Sequence, residues 1–272
     1  MTIKKIDRNK VENVFAEYTA AYNAEDVKIK LKIDHTYRVA AIADKIAKSL
    51  KLSDEDIDLA WLLGMLHDIG RFEQLRRYNT FIDSVSVNHA ALSADILFIH
   101  KDIDDMDSMP MIREFIDDIG EDVVIEKAIR LHNVFKLPEA LTDREEMFAN
   151  ILRDADKIDI LKVNCDIPME EIYDRPLEDF KKDFISPLVY EDAMGSGNVD
   201  RRHVETAVDS LVTKISFVYG LVFPESFREV MRQGYLEQML EFESKNPDTQ
   251  EKLHNISCNV RKYIENNIKE TI

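Results

Sequence analysis

The stretch LLGMLHDIGR, Leu62 to Arg71, decides how the rest of the chain is read. From Leu59 to Leu66 the residues are apolar with no polar stripe, so a helix there is hydrophobic all round and must be a buried rod. The run is also far shorter than the ~20 apolar residues that span a bilayer. His67 and Asp68 close it, which presents two polar side chains at the end of a buried helix rather than on a washed surface.

Outward from that rod, apolar residues recur at intervals of three and four, and no alternating stretch of strand length stands out. The pattern predicts an all-α fold, with helices over roughly 7–22, 28–50, 54–69, 86–100, 110–119, 121–132 and 143–163. Ser53 and Thr142 read as N-caps, Gly70 and Gly120 as helix stops, and Pro110 as a first-turn residue. After Val163 the prolines at 168, 176 and 187 and the Gly195-Ser196-Gly197 triplet indicate short pieces and a flexible loop. Three longer helices are expected over 201–219, 224–243 and 247–268. The expected organisation is a helical bundle over 1–166 with a helical extension over 167–272 packed on it as one compact unit.

Charge narrows the partners. In a chain of 272 residues, 36 basic against 53 acidic side chains leave a net charge of -17, which repels duplex nucleic acid and anionic membranes over most of the surface. The segment from Met1 to Lys10 has no apolar core. The two cysteines, Cys165 and Cys258, form no C-x-x-C pair, which suits a reducing compartment and offers no thiolate metal site. A cytoplasmic, soluble protein is expected. The acidic surface and the extension are compatible with a homodimer.

Helical geometry sorts the histidines, because residues at i±4, i±7 and i±11 share a face. His35 is in line with Leu31, Ile42 and Ile46, His89 with Val85, Leu92 and Ile96, and His132 with Ile125, Ala128 and Ile129. Asp156 lies between Leu152 and Ile160. All four point at buried surface. One inward histidine is ordinarily a hydrogen-bonded core residue. His35, His67, Asp68, His89, His132 and Asp156 together would incur several kcal/mol of desolvation without a common partner. A metal ion is the most economical such partner, and an imidazole and carboxylate set without thiolates favours Mn, Fe, Co, Ni or Zn in a non-structural site. His100 shares a face with His89 but lies about 16 Å along the helix, too far for a shared coordination sphere. His203 and His254 match no ligand pattern.

The order His35, His67-Asp68, Asp156 resembles the signature of the HD superfamily of metal-dependent phosphohydrolases, in which a histidine, a His-Asp doublet and a distant aspartate follow one another. The context agrees: the doublet lies in LLGMLHDIGR and Asp156 in ADKID, and the resemblance covers about Lys30 to Val163. It implies an HD-type bundle with one ion on His35, His67, Asp68 and Asp156. His89, in VNHAALSADIL, and His132, in AIRLHN, resemble the added histidines of binuclear members, where the doublet aspartate bridges two ions. Asn133 departs from subfamilies with two consecutive histidines there, and no GYP triplet is present, which weighs against a cyclic di-nucleotide substrate.

The resemblance implies hydrolysis of a phosphate ester of a small, nucleotide-like molecule by an activated water, with one or two divalent transition-metal ions as cofactor. Asp68 and Arg71 are the candidate catalytic residues, Arg71 standing where relatives often carry a phosphate-supporting lysine. Arg76 and Arg77 are candidates for gripping substrate phosphate ahead of an expected loop over 78–85. Each of these arginines has an equally simple reading as a helix-end or surface cation. The alternative function is that of an HD-fold di-iron oxygenase, which uses a similar ligand set on a small organic substrate.

Overall fold

A computed structural model gives the protein's architecture and describes residues 6–99, 111–170 and 175–269. His100 and Pro110, for which roles were expected from sequence, lie outside the described residues. Among those described there is no strand, and the all-α expectation holds. The chain divides into two compact units, Met1–Asp156 and Lys157–Ile272, and the division falls inside a helix.

In the first unit the helices are α1 (Arg8–Thr19), α2 (Val27–Ser49), α3 (Asp54–Leu66), α4 (Ile69–Tyr78), α5 (His89–Phe98), the short α6 (Ile112–Phe115), α7 (Asp122–Leu131) and the start of α8 (Asp143–Asp166). The Ser53 side chain accepts the Asp56 amide at 3.2 Å and so caps α3. At the start of α8 the Thr142 hydroxyl accepts from Glu145 N at 3.3 Å while the Glu145 carboxylate accepts from Thr142 N at 2.9 Å, a reciprocal capping box.

The rod α3 is buried on all sides from Leu59 to Leu66. It lies against α2 so closely that a Cβ on Gly64 would fall inside contact distance of Ala40 Cα and 2.6 Å from Ala40 N. That glycine sets the approach of the two helices that carry His35 and His67. An aromatic cluster of Phe15, Tyr18, Tyr22 and Phe72 packs α1 on α4, and the Tyr18 hydroxyl donates to the Ile69 carbonyl at 3.1 Å.

Several expected boundaries are corrected. The rod does not run on to residue 69: it ends at Leu66, Asp68 adopts φ -109°, ψ 17°, and a new helix, α4, starts at Ile69. Gly70 is therefore not a stop. It lies in α4 where a Cβ would meet Ser93 N at 2.7 Å, and its amide donates to Ser93 Oγ at 2.9 Å, so its smallness joins α4 to α5. Gly120 ends no helix either, because α6 already stops at Phe115 and Ile116 is extended. Its amide donates to Asp118 Oδ1 at 2.8 Å in a tight turn. Residues 86–88 lie outside α5, whose N-cap is Asn88.

The second unit holds the end of α8, then α9 (Leu177–Phe180), α10 (Pro187–Met194), α11 (Ala207–Ile215), α12 (Pro224–Gln233), α13 (Tyr235–Leu240) and α14 (Pro247–Lys269). The single helix expected over 201–219 is a 3-10 turn, α11 and a second 3-10 turn. That expected over 224–243 is broken at Gly234, which takes φ +76°. Buried Asp209 ties this unit together by accepting from Ser186 N and Oγ, Glu205 N and Thr206 N.

Candidate metal centre

Five helices of the first unit deliver the polar cluster. His35 lies in the middle of α2, His67 caps α3, and Asp68 occupies the break between α3 and α4. His89 opens α5, held there by the Asn88 cap on Ala91 N, His132 caps α7, and Asp156 lies on α8. The histidines are at most 6% exposed and Asp68 2%.

These side chains meet in two groups that share one carboxylate. Around Asp68 Oδ2 stand His35 Nε2 and His67 Nε2, each at 3.6 Å, and Asp156 Oδ1 lies 3.2 Å from His35 Nε2 and 3.7 Å from His67 Nε2. Around Asp68 Oδ1 stand His89 Nε2 at 3.6 Å and His132 Nε2 at 3.8 Å. Within the groups, the paired imidazole nitrogens are 3.3 Å apart for His35 and His67, and 3.0 Å for His89 and His132.

Ring orientation explains why those nitrogens face inward. His67 Nδ1–H donates to the Gly64 carbonyl at 2.8 Å, His132 Nδ1–H to the Ile129 carbonyl at 2.7 Å and His89 Nδ1–H to Asp83 Oδ2 at 2.6 Å. Each bond leaves a lone pair on Nε2. His89 and His132 then aim two lone pairs at each other; the Arg71 guanidinium reaches the one on His89, and a metal ion beside the pair would satisfy both. Two nitrogens each ~2.1 Å from one ion at 90–109° are ~3.0–3.4 Å apart, which is the separation both pairs show.

The charge states suit ligation. Burial pushes the His89 and His132 pKa values down to about 4, although Asp83 opposes the shift at His89, and burial also lowers that of His67. The His67, His89 and His132 imidazoles are neutral near pH 7. Burial alone would raise Asp68, but Lys32, His67, Arg71 and His89 outweigh it and hold the carboxylate well below the usual range. Asp156 is likewise depressed, chiefly by His35 and His67 working against burial. Among the described residues Asp68 Oδ1 is buried with no hydrogen-bond donor, an orphan that a divalent cation would satisfy. The donor set therefore fits a metal, and His35, His67 and Asp156, and again His67, Asp68 and His132, bring ligand atoms within 4.8 Å of one another.

Arg71 borders the cluster. Its NH1 donates to Gln74 Oε1 and the Phe81 carbonyl, both at 2.7 Å, and to Asp83 Oδ1 at 3.1 Å. Its NH2 reaches His89 Nε2 at 3.3 Å. Arg76 and Arg77 are placed differently: both donate to buried Glu73 Oε2, at 2.8 and 2.9 Å. His203 pairs with Asp192 at 2.8 Å and exposed His254 lies on α14, both in the second unit.

Three contributors escaped the sequence reading. Asp83, in a 3-10 turn, orients His89. Lys32 donates to Asp68 Oδ2 at 2.7 Å. Arg153 donates to the carbonyls of Leu131, His132, Val134 and Phe135, and so fixes the end of α7 from which His132 projects. Lys32 carried a weak signal, being one turn before His35 on the same helix face. Asp83 and Arg153 carried none.

Residues 33–162 match the family model described as the HD domain, a span that includes all the clustered histidines and aspartates. Over those residues the chain carries an HD domain. The HD superfamily is one of metal-dependent hydrolases, and HD domains bind divalent metals. No curated protein and no solved structure matches the chain. Among the described residues, no helix of this HD protein is long and apolar enough to cross a membrane.

Proposed function

We propose that this HD protein is a binuclear metal-dependent phosphohydrolase that cleaves a phosphate ester of a small, nucleotide-like molecule with water. The observation that carries the reading is the position of Asp68, whose two oxygens face two separate histidine pairs. One divalent ion would be held by His35, His67, Asp68 and Asp156, and a second by Asp68, His89 and His132. When bound, such a pair supplies an activated water and neutralises phosphoryl charge during in-line displacement.

The chain's own residues do the rest. His67, His89 and His132 keep their lone pairs aimed inward through fixed Nδ1–H bonds. Arg71 is held rigidly by Gln74, Phe81 O and Asp83, which preorganises its guanidinium for a substrate oxygen. In the reaction a water oxygen bonds to phosphorus and the ester P–O bond breaks. One water proton ends on the leaving alcohol, and the other stays on the released phosphate. Arg76 and Arg77, engaged on Glu73, take no part in this reading. The acidic surface repels polyanions such as DNA, while Arg71 beside the cluster offers a local cation to a small anion. A cytoplasmic setting fits the two unpaired cysteines.

The test is elemental analysis of the purified full chain, followed by a nucleotide and phosphomonoester screen under anaerobic conditions with the metal found. Phosphate release, with label from isotopic water in the phosphate, is expected. Label in the alcohol, or full metal loading with no phosphate release across the panel, overturns the reading. Oxygen consumption by the iron-loaded protein with an organic substrate would instead favour an oxygenase.

A further inference from the structure

Lys32 stands one residue outside the HD-matched span and has no place in the ligand set. Its ammonium nevertheless lies 2.7 Å from Asp68 Oδ2, the oxygen that faces His35 and His67. Across the same carboxylate, Arg71 Nε lies 3.6 Å from Oδ1. Both cations rest on one aromatic ring: Lys32 Nζ is 5.5 Å and Arg71 Cζ 5.7 Å from the Phe81 centroid. The side chains are 16% and 14% exposed, enough to be reached from solvent while largely desolvated.

A single carboxylate cannot satisfy a lysine, an arginine and two divalent ions. Arg71 has further acceptors in Gln74, Phe81 O and Asp83, whereas the carboxylate paired with Lys32 is Asp68. Once Asp68 Oδ2 is engaged by a cation, the Lys32 ammonium faces like charge and requires an anion of its own. Phosphate oxygen is such an acceptor, and lysine binds it as a compact point charge beside the forked guanidinium.

We infer that Lys32 and Arg71, braced on Phe81, form a two-armed clamp for the terminal phosphate of a phosphomonoester. The assignment rests on the hydrolase reading above and deepens it. A monoester phosphoryl has three non-bridging oxygens and carries two negative charges near neutral pH, enough to meet both cationic arms and the ligated ions. A diester has two non-bridging oxygens and one charge, and leaves an arm unmatched. The clamp therefore selects monoesters.

Inorganic phosphate titrated calorimetrically into the metal-loaded full chain tests this with Lys32→Gln, which keeps a donor for Asp68 but removes the charge. Metal content should stay unchanged while phosphate affinity falls about 10- to 100-fold, as expected for losing one charge-assisted contact. Lys32→Arg should recover most of it, and covers the case in which the neutral variant fails to fold. In steady state the neutral variant should lose its preference for an aryl phosphate monoester over the matching diester. Equal phosphate affinity in wild type and Lys32→Gln, or affinity in Lys32→Arg as low as in the neutral variant, overturns the clamp and leaves hydrolysis standing. A wild type that binds no phosphate overturns the clamp as well, and one that also releases none from any ester takes the hydrolase reading with it.

Discussion

His89 Nδ1–H donates to Asp83 Oδ2 at 2.6 Å, and Asp83 is in turn gripped by Gln74 Nε2 at 2.9 Å and Arg71 NH1 at 3.1 Å. Gln74 is fully buried and also donates to Ser86 Oγ and the Val87 carbonyl, so one amide fastens the whole connection from α4 to α5. The tautomer of His89 is thus set by a carboxylate outside the cluster, in the manner of a carboxylate–histidine–metal triad. Asp83→Ala should weaken binding of the second ion about 10- to 100-fold and leave the first in place. Metal stoichiometry against a chelator checks both points. Imidazole nitrogen chemical shifts of His89 check the tautomer, since the ring should lose its fixed Nδ1–H form. Unchanged stoichiometry and tautomer would show that Asp83 only stabilises its loop.

Asp68 faces both histidine pairs, so its replacement should act on both ions at once. Asp68→Ala is expected to remove most of the bound metal while retaining the helical signal by circular dichroism. His89→Gln or His132→Gln should bring the content down toward one ion, because His35, His67, Asp68 and Asp156 remain. If Asp68→Ala keeps its full complement of metal, the shared-carboxylate reading is wrong.

The contrast between what the sequence disclosed and what it hid has a physical origin. His35, His89, His132 and Asp156 were legible because each interrupts an apolar stripe whose period fixes where it points. Lys32 hid among Lys28 and Lys30 at the start of α2, where charge reads as a solvated face. Asp83 lies in a 3-10 turn without periodicity, so no pattern could aim it at His89. Helix α4 was missed because Gly70 imitates a stop and Glu73 to Arg77 reads as polar surface. Glu73 and Gln74 are in fact buried, and their partners Tyr22, Arg76, Arg77 and Asp83 are revealed only by tertiary structure.

Close approach at Gly64 predicts an asymmetry between glycines. In Gly64→Ala the new methyl would press on the backbone of Ala40, which cannot move without separating α2 from α3. The cost should be about 1–3 kcal/mol or more. At Gly120 the nearest obstacle is the Asp118 carboxylate oxygen at 3.2 Å, a side chain able to turn aside. Gly120→Ala should stay within about 0.5 kcal/mol of wild type. Urea melts of both variants test the pair, and similar stabilities would contradict the packing argument. A drop in metal affinity in Gly64→Ala alone would further tie this contact to the spacing of His35 and His67.

Burial of neutral imidazoles gives a pH dependence of definite sign. His89 and His132 fall from 6.5, the ordinary value, to about 4 in the fold, so between those limits the unfolded chain binds more protons than the folded one. Stability of metal-stripped protein should therefore be fully present above about pH 6.5, decline as the pH falls toward 4, and draw nothing further from these groups below that. The lowered value of His67 adds to the same slope. His89 and His132 each contribute on the order of 3 kcal/mol across the window. The depressed carboxylates Asp68 and Asp156 act at lower pH, since their stabilisation is present above the ordinary carboxylate range and is lost as they protonate. Urea melts at pH 7, 6, 5 and 4.5 should show the decline, and His132→Gln should flatten part of it because the glutamine cannot titrate. Bound metal should hold the wild-type curve level to lower pH, since protons must displace the ions before they reach the rings. A wild-type stability that is flat from pH 7 to 4.5 in stripped protein would mean that these rings are already protonated in the fold, and would remove the neutral lone pairs on which the ligand assignment depends.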